Sequence, residues 1–134
     1  MAMMARSLKP FQRPGLWSGL WVAAIAGVVV LSLVPPPDLG KLPEHSDKLE
    51  HVLAYAVLAA GAVQLYARRL ALFSACVCLA LMGIALEHAQ GALTTTRMRD
   101  ARDAWANGIG VMIGLSTLFT PWRDALLRFD RRGE

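Results

Sequence analysis

Residues 16–34 read LWSGLWVAAIAGVVVLSLV, a run of nineteen residues without a charged side chain. A helix of this length rises about 28 Å, close to the roughly 30 Å of a bilayer's hydrocarbon core. The run is longer than the apolar region of a typical signal peptide, and it ends at three prolines without a small-residue cleavage pattern. It predicts an uncleaved membrane-spanning helix over residues 15–34.

Three further apolar stretches predict helices over residues 49–66, 70–90 and 103–120. Only a short connection at Arg68-Arg69 separates the first two of these, so they are expected to form an antiparallel hairpin. The last stretch is bracketed by tryptophans, which favour the membrane interface. The first three of the four stretches lack the polar stripe of a soluble helix. The sequence therefore predicts an all-α integral membrane four-helix bundle, as a single domain over residues 1–134.

The composition agrees with this class. Apolar residues make up 55% of the 134 residues and charged ones 18%, against roughly 45–50% and 25% in soluble domains. The net charge is +4, but the basic residues cluster between apolar stretches instead of covering one face. This distribution argues against a nucleic-acid-binding protein. Cys76 and Cys78 lie inside one apolar run, which excludes a disulfide framework or a zinc-ribbon spacing.

The distribution of Lys and Arg predicts the orientation of the helices. Basic residues are more numerous at 6–13, 68–69 and 123–132 than at 41–48 and 97–102. Because the positively charged side of a membrane protein is usually cytoplasmic, both termini are predicted to be cytoplasmic. The tail from Trp122 onward alternates apolar and basic residues, and it predicts a short C-terminal interfacial helix.

In this topology the polar ends of the second, third and fourth helices lie together on the outer side of the membrane. Each of these ends carries polar residues spaced three or four apart, which share a helix face. The residues are Asp47, His51 and Tyr55 on the second helix, Glu87 and Gln90 on the third, and Asp103 and Asn107 on the fourth. Gly110 and Gly114 continue the last stripe and predict close helix packing.

An ionisable group below the lipid headgroups costs roughly 2.5–3.5 kcal/mol on insertion scales, so such groups are expected to face one another. The three carboxylates Asp47, Glu87 and Asp103 would need compensating charge. The connecting loop supplies it as Arg97, Arg99 and Arg102, and we expect at least one arginine–carboxylate pair.

Three segments in order carry a family resemblance. Residues 47–55 read DKLEHVLAY, residues 87–90 read EHAQ, and Arg97 is followed by DAWANGIG at residues 103–110. The chain thus resembles the VanZ-like membrane-protein family, which shows DK-x-x-H-x-x-A-Y, then E-x-x-Q, then R and D-x-x-A-N-x-x-G. The resemblance covers residues 47–114.

The resemblance implies a place in the bacterial inner membrane and work at the cell envelope, near lipid-linked wall precursors, because the family's named example is associated with glycopeptide resistance. It transfers motif positions without catalytic roles. The substrate-binding residues that we predict are Asp47, His51, Tyr55, Glu87, Gln90, Arg97, Asp103 and Asn107.

Three functions remain open at this point. The polar residues can recognise an amphiphilic or lipid-linked envelope molecule, can catalyse a reaction on it with His51 or Glu87 as proton carrier, or can form a purely structural clasp in an assembly subunit. Histidine and carboxylates also bind divalent cations. Since no zinc motif such as H-E-x-x-H is present, the sequence predicts no metal and no cofactor. Expected partners are membrane lipids and a lipid-linked cell-wall precursor, and the sequence leaves a homo-oligomer open.

Overall fold

A computed structural model describes residues 7–34, 46–93 and 101–133. These residues form no β-strand, and the predicted all-α class is confirmed. The helices are α1 (Pro14–Leu33), α2 (Ser46–Leu65), α3 (Arg69–Leu93), α4 (Ala101–Ser116) and α5 (Ala125–Arg131), and two 3₁₀ helices, Thr117–Phe119 and Pro121–Asp124, connect α4 to α5. By length and composition, α1 and residues 69–89 of α3 are able to cross a membrane.

The fourth helix is shorter than the sequence predicts, because α4 ends at Ser116 and not at residue 120. Ser116 Oγ donates to the Ile113 carbonyl, and Thr117 Oγ1 donates to the Gly114 carbonyl at 2.7 Å. Thr120 precedes Pro121 and is extended, with φ −109° and ψ 161°, since proline excludes the helical conformation from its predecessor. The apolar stretch therefore continues as 3₁₀ helices.

Helices α2 and α4 run parallel and touch through their backbones. A Cβ atom added at Gly110 would collide with the Val52 carbonyl oxygen, and one added at Gly114 would collide with that of Ala56. At Gly114 it would also lie 2.7 Å from the Ala59 Cβ. Glycine is thus required at both positions because only hydrogen fits there.

The core lies between α2, α3 and α4. Its buried side chains are Tyr55, Leu58, Ala59, Ala62, Val63, Leu72, Cys76, Leu79 and Val111. Helix α1, which the structure describes over its whole length, contains no buried residue. It is fixed to α2 by Trp21, whose indole Nε1 donates to the Leu58 carbonyl at 2.8 Å and whose ring lies against Gly61. Helix α1 is therefore a peripheral helix.

One end of the bundle is closed by the segment before α1 and the segment after α4. The backbone amide of Lys9 donates to the Leu65 carbonyl, and that of Ala67 to the Ser7 carbonyl. The side chain of Gln64 joins α2 to the C-terminal segment, because Nε2 donates to the Trp122 carbonyl and Oε1 accepts from the Leu126 amide. We call this region the terminal end.

Asp130 is the centre of the terminal end and is fully buried. Its carboxylate accepts hydrogen bonds from the Gln12 amide and from the Trp17 indole, the latter at 2.8 Å. Arg13 Nε lies 3.7 Å from it. The sequence predicts a short interfacial helix in the tail. The structure confirms a short helix there, α5, and Asp130 bonds it to the Trp17 indole near the start of α1.

The terminal end is expected to weaken in acid. Burial raises the pKa of Asp130, but the bonds from Trp17 and Gln12 and the charge of Arg13 outweigh burial and hold the pKa below its ordinary value. The Lys9 hydrogen bond likewise lowers the pKa of Asp124. Because both pKa values are lower in the folded protein, the stabilisation is present above about pH 4 and is lost as the pH falls through the folded values.

The test is the thermal midpoint in detergent between pH 7 and pH 3. We expect a constant midpoint from pH 7 to pH 5 and a fall below about pH 4, and a shallower fall in Asp130→Asn. An equally steep fall in that variant would contradict the role of Asp130.

Candidate functional site

The end of the bundle opposite the terminal end carries a buried polar cluster. We define it by His51 of α2, Glu87 of α3, and Asp103 and Asn107 of α4. Glu87, Asp103 and Asn107 are 4%, 8% and 2% exposed. The structure therefore brings together polar residues from three helices that the sequence separates by up to 56 positions.

Short contacts join the members of the cluster. His51 Nδ1 lies 2.9 Å from Asn107 Oδ1, within hydrogen-bond distance. His51 Nε2 lies 3.7 Å from Asp103 Oδ2, and Lys48 Nζ lies 3.5 Å from Asp103 Oδ1. Asp103 therefore has a lysine on one oxygen and an imidazole near the other.

The helix sequences position these side chains. Asp103 and Asn107 are one turn apart on α4, so they project from the same face toward α2. Gly83 of α3 leaves room for the Asn107 side chain, because a Cβ at position 83 would lie 2.9 Å from Asn107 Nδ2. Glu87 follows Gly83 by one turn of α3. The glycine therefore places α3 near enough for its carboxylate to join the cluster.

His51, Glu87 and Asp103 also form a possible set of metal ligands. One ligand atom of each lies within 4.8 Å of those of the other two. Asp103 Oδ1 is buried and accepts no hydrogen bond from the described residues. A buried acceptor without a donor costs roughly 1–3 kcal/mol. The sequence prediction of no metal rests on motif spacing, which does not detect ligands contributed by three different helices.

A cleft of about 270 Å³ between α1 and α2 gives access to the histidine. Its lining is Val28, Leu31, Ser32, Glu50, His51, Ala54 and Tyr55. His51 and Tyr55 share this cleft, in agreement with their i, i+4 spacing. Tyr55 is otherwise buried in the core.

A second hollow is larger and almost wholly apolar. It has a volume of about 910 Å³ and runs along the outer side of the contact between α3 and α4. Ile84 and Ala104, at its end, are each within one turn of a carboxylate of the cluster. An apolar groove therefore ends beside the polar cluster.

The other predicted site residues lie outside what the structure describes. Arg97 falls in the segment between α3 and α4, and the side chains of Asp47 and Gln90 are likewise outside the description. In the described part of the cluster Lys48 forms an ion pair with Asp103. The arginine–carboxylate pair stays a prediction, because Arg97 and Arg99 lie outside the described residues. Lys48 was recognisable from its place one turn before His51, at the same helix end.

Comparisons with protein-family models, curated proteins and solved structures find no match to this chain. The site is therefore interpreted from its own geometry.

Proposed function

We propose that this chain is a four-helix integral membrane protein of the VanZ-like kind, located in the bacterial inner membrane with both termini cytoplasmic. In this proposal it recognises an amphiphilic or lipid-linked cell-envelope molecule, whose anionic head enters the polar cluster. The single observation that carries the proposal is the meeting of His51, Glu87 and Asp103 beside a cleft open at the bundle surface.

The exposed surfaces of α2 and α4 support four membrane crossings. Both helices expose large apolar side chains along one face, as α3 does: Leu49, Leu53 and Val57 on α2, and Ile109, Met112 and Ile113 on α4. Apolar patches of this extent are unfavourable in water and favourable against lipid. Trp105 and Trp122, at opposite ends of the bundle, are 75% and 68% exposed, as expected of residues at the two interfaces.

The terminal end supports the proposed topology. The segment before α1 and the segment after α4 are bonded to each other there, for example by the Lys9–Asp124 ion pair at 2.8 Å. An even number of crossings places both segments on one side of the membrane. Arg68, Arg69 and Arg123 lie at this end as well, which agrees with a cytoplasmic location.

The cleft supports the recognition of an amphiphile. Its walls combine apolar residues of α1, Val28 and Leu31, with the polar side chains of Ser32 and His51. An acyl or isoprenoid tail fits against the first and a polar head against the second. Lys48 supplies positive charge to the same end of α2.

Binding of defined lipids to the purified protein tests this function. We expect a polyprenyl pyrophosphate to bind in detergent and its affinity to fall at least tenfold in His51→Ala, because the head loses a direct contact. Native mass spectrometry measures bound lipid directly. Asp124→Asn, at the terminal end, is the matched control and should bind as the unsubstituted protein does.

Equal binding by folded His51→Ala and the unsubstituted chain would reject recognition. The structural alternative is favoured by the His51–Asn107 contact, and it predicts a lower thermal midpoint in His51→Ala without a lipid-specific loss. The enzymatic alternative predicts chemical turnover of the bound lipid, lost in the same variant.

A further inference from the structure

Three side chains from three helices place possible ligand atoms close together in the polar cluster. His51, Glu87 and Asp103 each offer one atom, and these atoms all lie within 4.8 Å of one another. Both carboxylates belong to buried residues. Carboxylates at this spacing repel each other in a medium of low dielectric constant unless a proton or a cation lies between them.

The contact with Asn107 determines which histidine nitrogen faces the carboxylates. Asn107 Oδ1, 2.9 Å from His51 Nδ1, is only an acceptor, so Nδ1 carries the hydrogen and donates it. In neutral imidazole Nε2 is then unprotonated, and it lies 3.7 Å from Asp103 Oδ2. Metal-binding histidines show this arrangement, because the second ring nitrogen usually donates to a carbonyl or carboxylate oxygen.

Asp103 provides an independent observation. Its Oδ1 is buried and receives no hydrogen bond from the described residues, although the Lys48 ammonium lies 3.5 Å away. A bound cation would contact both this oxygen and the lone pair of His51.

We propose that His51, Glu87 and Asp103 bind a divalent transition-metal ion, with Zn²⁺ as its representative. One imidazole with two carboxylates suits this class, whereas Mg²⁺ and Ca²⁺ prefer oxygen ligands alone. In a tetrahedral zinc site with bonds of roughly 2.0–2.2 Å, the ligand atoms lie about 3.4 Å apart. The distances between the ligand atoms of the three side chains therefore shorten by up to about 1.4 Å when the ion binds. Three protein ligands leave a coordination position for water or for an anionic oxygen.

The proposal deepens the recognition of an anionic head without resting on it. Glu50, Glu87 and Asp103 make the described part of this end rich in carboxylates. A divalent ion neutralises two of them and offers a positive centre to a phosphate oxygen. Metal binding is measured without lipid, and its failure is therefore distinguishable from failure of lipid recognition.

The experiment uses the full chain, free of affinity tags, treated with a chelator in detergent and titrated with ZnCl₂ by calorimetry. We expect one equivalent of Zn²⁺ to bind and to raise the thermal midpoint, and MgCl₂ at the same concentration to do neither. His51→Ala, which removes a ligand, should weaken binding at least a hundredfold. Asn107→Ala, which removes only the partner of His51 Nδ1, should weaken it tenfold to a hundredfold.

His88→Ala is the matched control, since His88 adjoins Glu87 but its side chain is exposed. It should bind Zn²⁺ as the unsubstituted chain does. Glu87→Gln keeps the side-chain volume and tests a second ligand if His51→Ala does not fold. Co²⁺ provides a spectroscopic measurement, because coordination by a nitrogen and two oxygens gives visible absorption that the His51 variant lacks.

The proposal is overturned if the unsubstituted chain binds no Zn²⁺, or if folded His51→Ala and Glu87→Gln bind it unchanged. It is also overturned if only His88→Ala abolishes binding. In the first case the His51 imidazole only links Asn107 to the carboxylates, and the cluster is a clasp.

Discussion

Gly114→Ala is expected to destabilise the protein by about 3 kcal/mol or more. The added Cβ would meet the Ala56 carbonyl oxygen, the Ala59 Cβ and the Ala60 backbone nitrogen. Two of these are backbone atoms of a helix and cannot rotate away. Overpacking of this kind costs roughly 1–3 kcal/mol where side chains yield, and more where they do not.

Gly108→Ala is the matched control, because no atom lies within 4 Å of a Cβ at that position. A helix is more stable with alanine than with glycine by roughly 0.5–1 kcal/mol. Gly108→Ala should therefore unfold at the same temperature as the unsubstituted protein or at a higher one. Thermal unfolding of both variants in the same detergent is the measurement. Equal midpoints would mean that α2 and α4 do not touch through their backbones.

Asp130→Ala is expected to release the segment before α1 from the terminal end. The substitution leaves the Gln12 amide, the Trp17 indole and the Arg13 guanidinium without their shared acceptor. Removal of one member of a buried charged network is costly because the remaining polar groups stay desolvated. We expect a lower thermal midpoint and cleavage by chymotrypsin after Phe11, which is only 8% exposed in the unsubstituted protein.

Asp124→Ala provides the comparison at the same end. Its ion pair with Lys9 is partly exposed, with 38% of the aspartate side chain accessible, and such pairs contribute roughly 0–1 kcal/mol. The loss in Asp130→Ala should therefore be several times larger. If the two variants unfold at the same temperature, Asp130 is not the centre of the terminal end.

The helices and part of the site are predictable from sequence because hydropathy and helical periodicity determine both. Uncharged runs predict α1 to α4, and polar residues at helix ends predict that His51, Glu87, Asp103 and Asn107 lie at one end. The spacing of Gly110 and Gly114 predicts close packing, which the structure places against α2. These features depend on periodicity within single helices, which a sequence displays directly.

The remaining features depend on contacts that no local pattern encodes. Asp130 lies among arginines in a tail that the sequence predicts as an interfacial helix, and its partner Gln12 is 118 positions away. The end of α4 is set by two hydroxyl groups and by Pro121, although hydropathy continues unchanged. The Lys48–Asp103 pair depends on how two parallel helices are aligned.

The backbone contact at Gly110 and Gly114 has a consequence for the proposed ion site. If α4 slid along α2 by one turn, about 5.4 Å, Ala106 or Leu118 would take the place of a glycine against α2 carbonyls. The positions of His51 and Asp103 along the helix axes are therefore fixed relative to each other before an ion binds. Adjustment to ions of different radius would come from Glu87 on α3, so that residue would determine which ionic size the cluster prefers.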